Sequence, residues 1–352
     1  MKIRWYNGRM ELKDLYAKKL DKKSIADCGA HVIDRLRKGG RTFFELCEEL
    51  NFSAETIRAS LNALTKNGVL DNMLGRYVLE DGMGDFVVPK ENRAFKRPKY
   101  HSVVPAKFNL SLAVVGKGDK LHELDMFLCP FDLVWDEAEF TPADDNEFVV
   151  VNATLQEDFN EELFAKWAKP KAERLLKKFG VTGKITVKKG VPLGAGLGGS
   201  TACLVAMYFA IKKYADEKGL KYDFTPKYFA SLSSDFLAMS LARACRVQGV
   251  GDKVTKVDEN VRIRFVGFKM ARGGSDTTAV YQKFDEKGKL VSAHAPETAI
   301  EALRISRNDL FVPACALNKE IRKAFNELKA VHPKFVMMTG SGSGVVAIDY
   351  FV

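Results

Sequence analysis

Between Val191 and Ala206 the chain reads VPLGAGLGGSTACLVA, which places Gly194, Gly196, Gly198 and Gly199 within six positions. Glycine at that density lets successive backbone N–H groups curl toward one concavity, and a helix that follows adds the positive end of its dipole. A phosphate group is the ligand such a turn suits, although a tight packing turn ahead of a buried helix can carry the same letters. Ser200 and Thr201 supply hydroxyls that can cap the helix, bind phosphate oxygens or reach a magnesium ion. No Lys precedes Ser200, so the loop is not GxxxxGK[ST], and Gly194, Gly196 and Gly199 satisfy GxGxxG by letter only.

The elements around the loop follow from periodicity. Lys184 to Lys189 alternates as a strand, and Ala202 to Tyr214 is a strongly apolar helix. Val103 to Val115, Phe127 to Val134 and Phe148 to Val151 read as strands, and Glu161 to Phe179 as a helical pattern in which Pro170 marks a kink or a junction. Nearer the start, Ile25, Cys28, Val32, Ile33 and Leu36 recur at helical spacing. Thr42 with Glu45 forms a capping-box pattern, and Ser53 caps a stripe of Ile57, Leu61 and Leu64. Val69 to Leu79 then reads as a hairpin. Three helices and a hairpin over residues 24–80 resemble a winged helix-turn-helix, whose third helix would present Arg58, Asn62 and Lys66, offset by Glu55, to a DNA groove. DNA binding through this segment is possible but not favoured, because that helix is nearly neutral.

Composition limits the classes. The chain has 352 residues, 46% hydrophobic and 28% charged, which excludes disorder and fibrous repeats. No apolar run is long enough to cross a bilayer, and Met1 to Met10 lacks a signal-peptide core, so a soluble cytoplasmic protein is expected. Six scattered cysteines without a CxxC pair read as core thiols. The net charge of +10 is spread thinly, with its densest cluster in Lys90 to Lys99, a segment that reads as a linker.

PLGAGLGGSTA resembles the phosphate loop of the GHMP kinases. Pro105 to Leu110 (PAKFNL), Gly116 with Lys117, and His122 to Leu124 (HEL) are similar in order and spacing to the opening of the 4-diphosphocytidyl-2-C-methyl-D-erythritol kinases, PAKxNLxLxVxGxRxDGYHEL. Ser275 to Tyr281 (SDTTAVY), Asn308 to Leu317 (NDLFVPACAL) and Met338 to Gly344 (MTGSGSG) resemble later blocks of the same family. The resemblance spans about 250 residues, Val103 to Val352.

The resemblance implies an α+β, two-domain GHMP kinase fold: a ribosomal-protein-S5-like domain at 103–255 and a ferredoxin-like domain at 256–352. These follow a winged-helix-like domain at 1–86 and a linker at 87–102. It implies ATP and Mg2+ as cofactors and phosphorylation of a hydroxyl of a cytidyl-linked methylerythritol in non-mevalonate isoprenoid synthesis. Asp235 and Lys107 would be catalytic, and Gly194, Ala195, Gly196, Leu197, Gly198, Gly199, Ser200 and Thr201 would bind ATP, with Ser200 also reaching the metal. Asn109, His122, Gly340 and Ser341 would bind the substrate. Leu121 stands where the family has a base-stacking Tyr, the phosphate loop is one residue shorter than the family's, and the Pro that follows the family's Asp is missing after Asp235. A kinase for a different alcohol, or a transcription regulator whose kinase-like body senses a ligand, are the competing expectations.

Overall fold

A computed structural model describes residues 21–80, 88, 95–118, 121–154, 156–286 and 295–352. Residues 1–20, and 87 and 89–94 of the expected linker, lie outside that range. Strong local signals become elements at the expected places. Helix α1 (Lys22–Leu36) is capped by Asp21, and α2 (Phe43–Glu49) carries the full Thr42–Glu45 capping box. Helix α3 (Ala54–Lys66) is capped by Ser53, whose hydroxyl accepts from Thr56 N at 3.2 Å. The short strand β1 (Arg41–Thr42) and the hairpin β2 (Leu70–Met73) and β3 (Arg76–Leu79) complete the segment.

Two long antiparallel strands, β4 (His101–Lys117) and β5 (His122–Pro142), form the spine of the body. Ser102 to Val114 are all buried, so β4 shows little alternation and is covered on both faces. With β6 (Glu147–Asn152), β7 (Gly183–Lys189), β8 (Cys245–Gly249) and β9 (Lys253–Lys256) they make one sheet, ordered β6-β7-β5-β8-β9 with β4 on β5. Helix α4 (Glu161–Phe179) and the apolar α5 (Gly199–Glu217) pack beside it, α5 lying across β4 and β5. Helix α4 runs continuously through Pro170, so the proline does not mark a junction between two helices. The proline is exposed, so the carbonyl that loses its amide partner can turn to water.

The second sheet, ordered β1-β3-β2-β10-β12-β11, joins strands from residues 41–79 to strands from residues 262–351. Its strands β10 (Arg262–Met270), β11 (Phe335–Met338) and β12 (Gly344–Phe351) carry helices α7 (Thr277–Asp285), α8 (Ala299–Ile305), α9 (Phe311–Leu317) and α10 (Lys319–Lys329); the short α6 (Phe236–Ser240) belongs to the other half. The N-terminal hairpin continues this sheet through the Met73–Arg262 pairing. Arg58, which a groove-reading helix would need outside, is 5% exposed and lies 3.5 Å from Asp132, while Glu55 bonds Lys188 at 2.7 Å. Of the residues expected to face DNA, Arg58 is thus turned into the protein, while Asn62 is half-buried and Lys66 exposed. Among the described residues no helix is long and apolar enough to cross a membrane.

Glu137 sits where α3 meets the spine. His101 Nε2 lies 3.0 Å away, Trp135 Nε1 donates at 3.1 Å and Lys188 Nζ at 2.7 Å. Burial alone would raise this carboxyl, but the bonds from His101 and Lys188 more than reverse that and hold it at about 2, against 4.5 for an ordinary Glu. A depressed carboxylate stabilises the fold fully above the unfolded value and loses that contribution as pH falls through the folded one. The stability gap between the native chain and Glu137→Gln should therefore be about 3 kcal/mol at pH 6 and should close between about pH 4.5 and 2. Urea unfolding at stepped pH measures it, and a gap that does not change on acidification would contradict the ion pairing.

Candidate active site

Behind β7 the chain enters the glycine loop over a buried ion pair. Lys189 and Asp136 are both fully buried, with Lys189 Nζ 2.9 Å from Asp136 Oδ2, and Asp136 Oδ1 accepts from Gly190 N and Val191 N at 2.8 Å each. The loop then turns through positive φ at Gly194, Gly196 and Gly198. Gly198 is the N-cap of α5 and has no side chain to cap it, so the helix presents its first amides to the cavity in front. Neither Ser200 nor Thr201 caps the helix: Thr201 Oγ1 pairs with Ser233 Oγ at 2.5 Å, and Ser200 lines the cavity.

That cavity has a volume of about 720 Å³. Lys107 and Asp235 meet in it, Nζ to Oδ2 at 3.6 Å, beside Gly198 and Ser234. Lys107 is 6% exposed and donates to Asn109 Oδ1 at 2.9 Å, as expected for two residues on one face of β4. Asn109, at 1% exposure, lies behind Lys107 and off the cavity wall. Its carbonyl oxygen also accepts from Gly340 N at 3.0 Å and Thr339 Oγ1 at 3.2 Å. Its place is that of a residue that orients Lys107 and the second glycine turn. That turn is pinned again by Asn308, whose amide donates to Met338 O and Gly340 O. Gly340 and Ser341 line the cavity, Ser341 Oγ pairing with Thr277 Oγ1 at 2.8 Å.

The two ends of the cavity differ. At one, Phe159, Leu163, Phe164 and Trp167 form an apolar wall, and Lys171 Nζ lies 4.0 Å from the Trp167 ring centre. These residues share the spacing of a core-facing helix stripe, which hides a ligand wall from a sequence reading. At the other end stand Leu112, Leu124, Met126, Thr277 and Tyr281. His122 is stacked on Tyr281, ring centres 4.7 Å apart, and bonds Asp285 Oδ1 at 2.8 Å. Tyr281 therefore stands between His122 and the cavity, and burial together with the charge of Asp235 pushes its phenol well above the ordinary range. Leu121 is 58% exposed and outside the cavity.

A glycine turn on a helix N-terminus, with a lysine and a carboxylate across the same cavity, is the equipment of a phosphotransferase. A family model described as the GHMP kinases N terminal domain matches residues 165–234. A 4-diphosphocytidyl-2-C-methyl-D-erythritol kinase of Carboxydothermus hydrogenoformans is 31% identical over 258 residues, covering 69% of this chain and 86% of that protein. One of Deinococcus radiodurans is 25% identical, covering 69% and 82%. A crystal structure of 4-(cytidine 5'-diphospho)-2C-methyl-D-erythritol kinase superposes with a TM-score of 0.53 at 22% identity, over 70% of this chain and 89% of that one, and shows the shared fold. The chain belongs to the GHMP kinase family, among the relatives named 4-diphosphocytidyl-2-C-methyl-D-erythritol kinase, and is an ATP-dependent phosphotransferase.

Proposed function

We propose that the protein transfers the γ-phosphoryl group of ATP to a hydroxyl of 4-diphosphocytidyl-2-C-methyl-D-erythritol, working in the cytoplasm. The observation that carries the reading is the Lys107–Asp235 pair, 3.6 Å apart, opening on the same cavity as the glycine loop. In this reading Gly194 to Thr201 hold the phosphates through backbone amides, and the apolar wall of α4 takes the adenosine. Asp235 accepts the proton of the attacking hydroxyl, and Lys107 stabilises the negative charge that develops on the transferring group. The Tyr281 ring gives the alcohol's nucleobase an aromatic face in place of the stacking residue that Leu121 does not supply.

Magnesium fits this arrangement as a companion of ATP. Among the described residues no group of three or more His, Cys, Asp or Glu side chains could hold a metal by itself. Ser200 offers one hard oxygen at the start of α5, which suits a cation that keeps phosphate oxygens and water as its other ligands. Bound there, magnesium would neutralise phosphate charge.

The test offers the full chain ATP and magnesium with cytidyl-methylerythritol, mevalonate, homoserine or galactose, reading ADP release. Release at least ~10-fold faster with the cytidyl alcohol than with any other is expected, the margin of one good recognition contact. Preference for another alcohol would overturn the substrate assignment.

A further inference from the structure

Asp132 is 1% exposed, yet its two named partners come from the first eighty residues: Tyr77 Oη donates to Oδ2 at 2.6 Å, and Arg58 Nε lies 3.5 Å from Oδ1. Tyr77 is 1% exposed and Arg58 5%. The site of this contact is unusual in the spine. Pro105 of β4 is opposite Trp135 of β5, but its neighbour Ala106 is opposite Phe131, so Asp132, Leu133 and Val134 form a bulge in β5. One residue further along, Lys107 is opposite Pro130, and the hairpin turn at Gly75 rests on the Pro130 ring. Around this point the N-terminal core is shared with the body. Val103 and Trp135 belong to the same apolar cluster as Val32, Leu46, Ile57 and Leu61, and the Phe43 and Trp135 rings are 5.2 Å apart.

We propose that residues 21–80 are a built-in buttress of the kinase, and that Tyr77 and Arg58 are positioning residues that hold, through Asp132, the β5 bulge opposite the strand step carrying Lys107. A buried carboxylate without partners is costly and would draw water or move, and a bulge is the part of a strand pair with the freedom to move. Displacing it changes the register partner of Lys107 and so the 3.6 Å approach of Lys107 to Asp235. Residues 21–80, expected to belong to a separate winged-helix-like domain, then serve catalysis without touching substrate. The catalytic half of this proposal rests on the kinase reading through Lys107; the mechanical half does not.

The experiment uses full-length Tyr77→Phe, Asp132→Asn and the double variant, since the loss of one hydroxyl leaves the packing of Tyr77 intact. Each single change is expected to lower kcat roughly tenfold, the worth of one buried hydrogen bond to a charge, with the KM for ATP within about twofold. The double variant should be no worse than the poorer single one, because both remove the same contact. Hydrogen exchange read in parallel needs no substrate: exchange in Tyr77→Phe should rise in peptides spanning 104–110 and 128–134. Unchanged kcat in both singles, additive losses, or faster exchange confined to 54–80 would each overturn the proposal. Absent activity with every alcohol in the native chain would strike the substrate reading, and the exchange result would still decide whether the buttress reaches Lys107.

Discussion

Replacing Asp235 with Asn is expected to lower turnover by at least ~100-fold, the range for a lost general base, while ATP affinity stays within about twofold. The amide keeps the shape of the side chain and its place beside Lys107 Nζ, 3.6 Å from the carboxylate. It cannot take a proton from an attacking hydroxyl. The phosphate loop is held from elsewhere, by Asp136 beneath Gly190 and Val191 and by the Ser343 N bond to Gly194 O, so nucleotide binding has no reason to change. ADP release under saturating alcohol and a separate ATP titration check the two halves. Turnover near that of the native chain would remove Asp235 from the chemistry and leave it as a residue that orients Lys107.

How much of this could be read in advance depended on whether a signal was local. The caps at Thr42 and Ser53, the glycine loop and the pairing of Lys107 with Asn109 on one strand face are decided within a few residues, and each is where the sequence puts it. Charges whose fate is decided across the chain were misjudged. Arg58 has the same letter whether it faces a DNA groove or Asp132, 74 positions away, and nothing within α3 distinguishes the two. Lys189 looks like its neighbour Lys188, but the period of two in β7 sets it on the face of Ile185 and Val187, where it is fully buried. Carrying that alternation two residues on from Val187 reaches it. Tyr281 belonged to a recognised block yet had no visible role, since its place at the cavity depends on how α7 packs over β4 and β5.

The second large effect is expected at Gly196, where the two glycine turns interlock. Its φ is +67°, and a Cβ there would overlap the carbonyl oxygen of Thr339 and come within 3.2 Å of Gly342 N. Both obstacles are backbone, so no side chain can swing aside. Thr339 Oγ1 also lies 3.0 Å from Gly196 O and 3.2 Å from Asn109 Oδ1, within donating distance of either, which ties this approach to Lys107. Gly196→Ala must then push the second turn away from the first and break the Ser343–Gly194 and Gly344–Ala195 bonds of 2.8 and 3.0 Å. Gly219→Ala is the matched control: its φ is +65°, and a Cβ would meet nothing within 4 Å. That change should cost only the left-handed strain of a non-glycine residue, about 1–2 kcal/mol, and leave ATP binding as it is. Gly196→Ala carries the same strain plus the overlap. It is expected to weaken ATP binding by at least ~100-fold, the loss of about two hydrogen bonds to a charged ligand. Unfolding curves and ATP titrations on both variants separate strain from contact. Equal ATP affinity in the two would mean that the turns can part without cost, and the amide cradle at Gly194 to Gly199 would lose its support as the phosphate site.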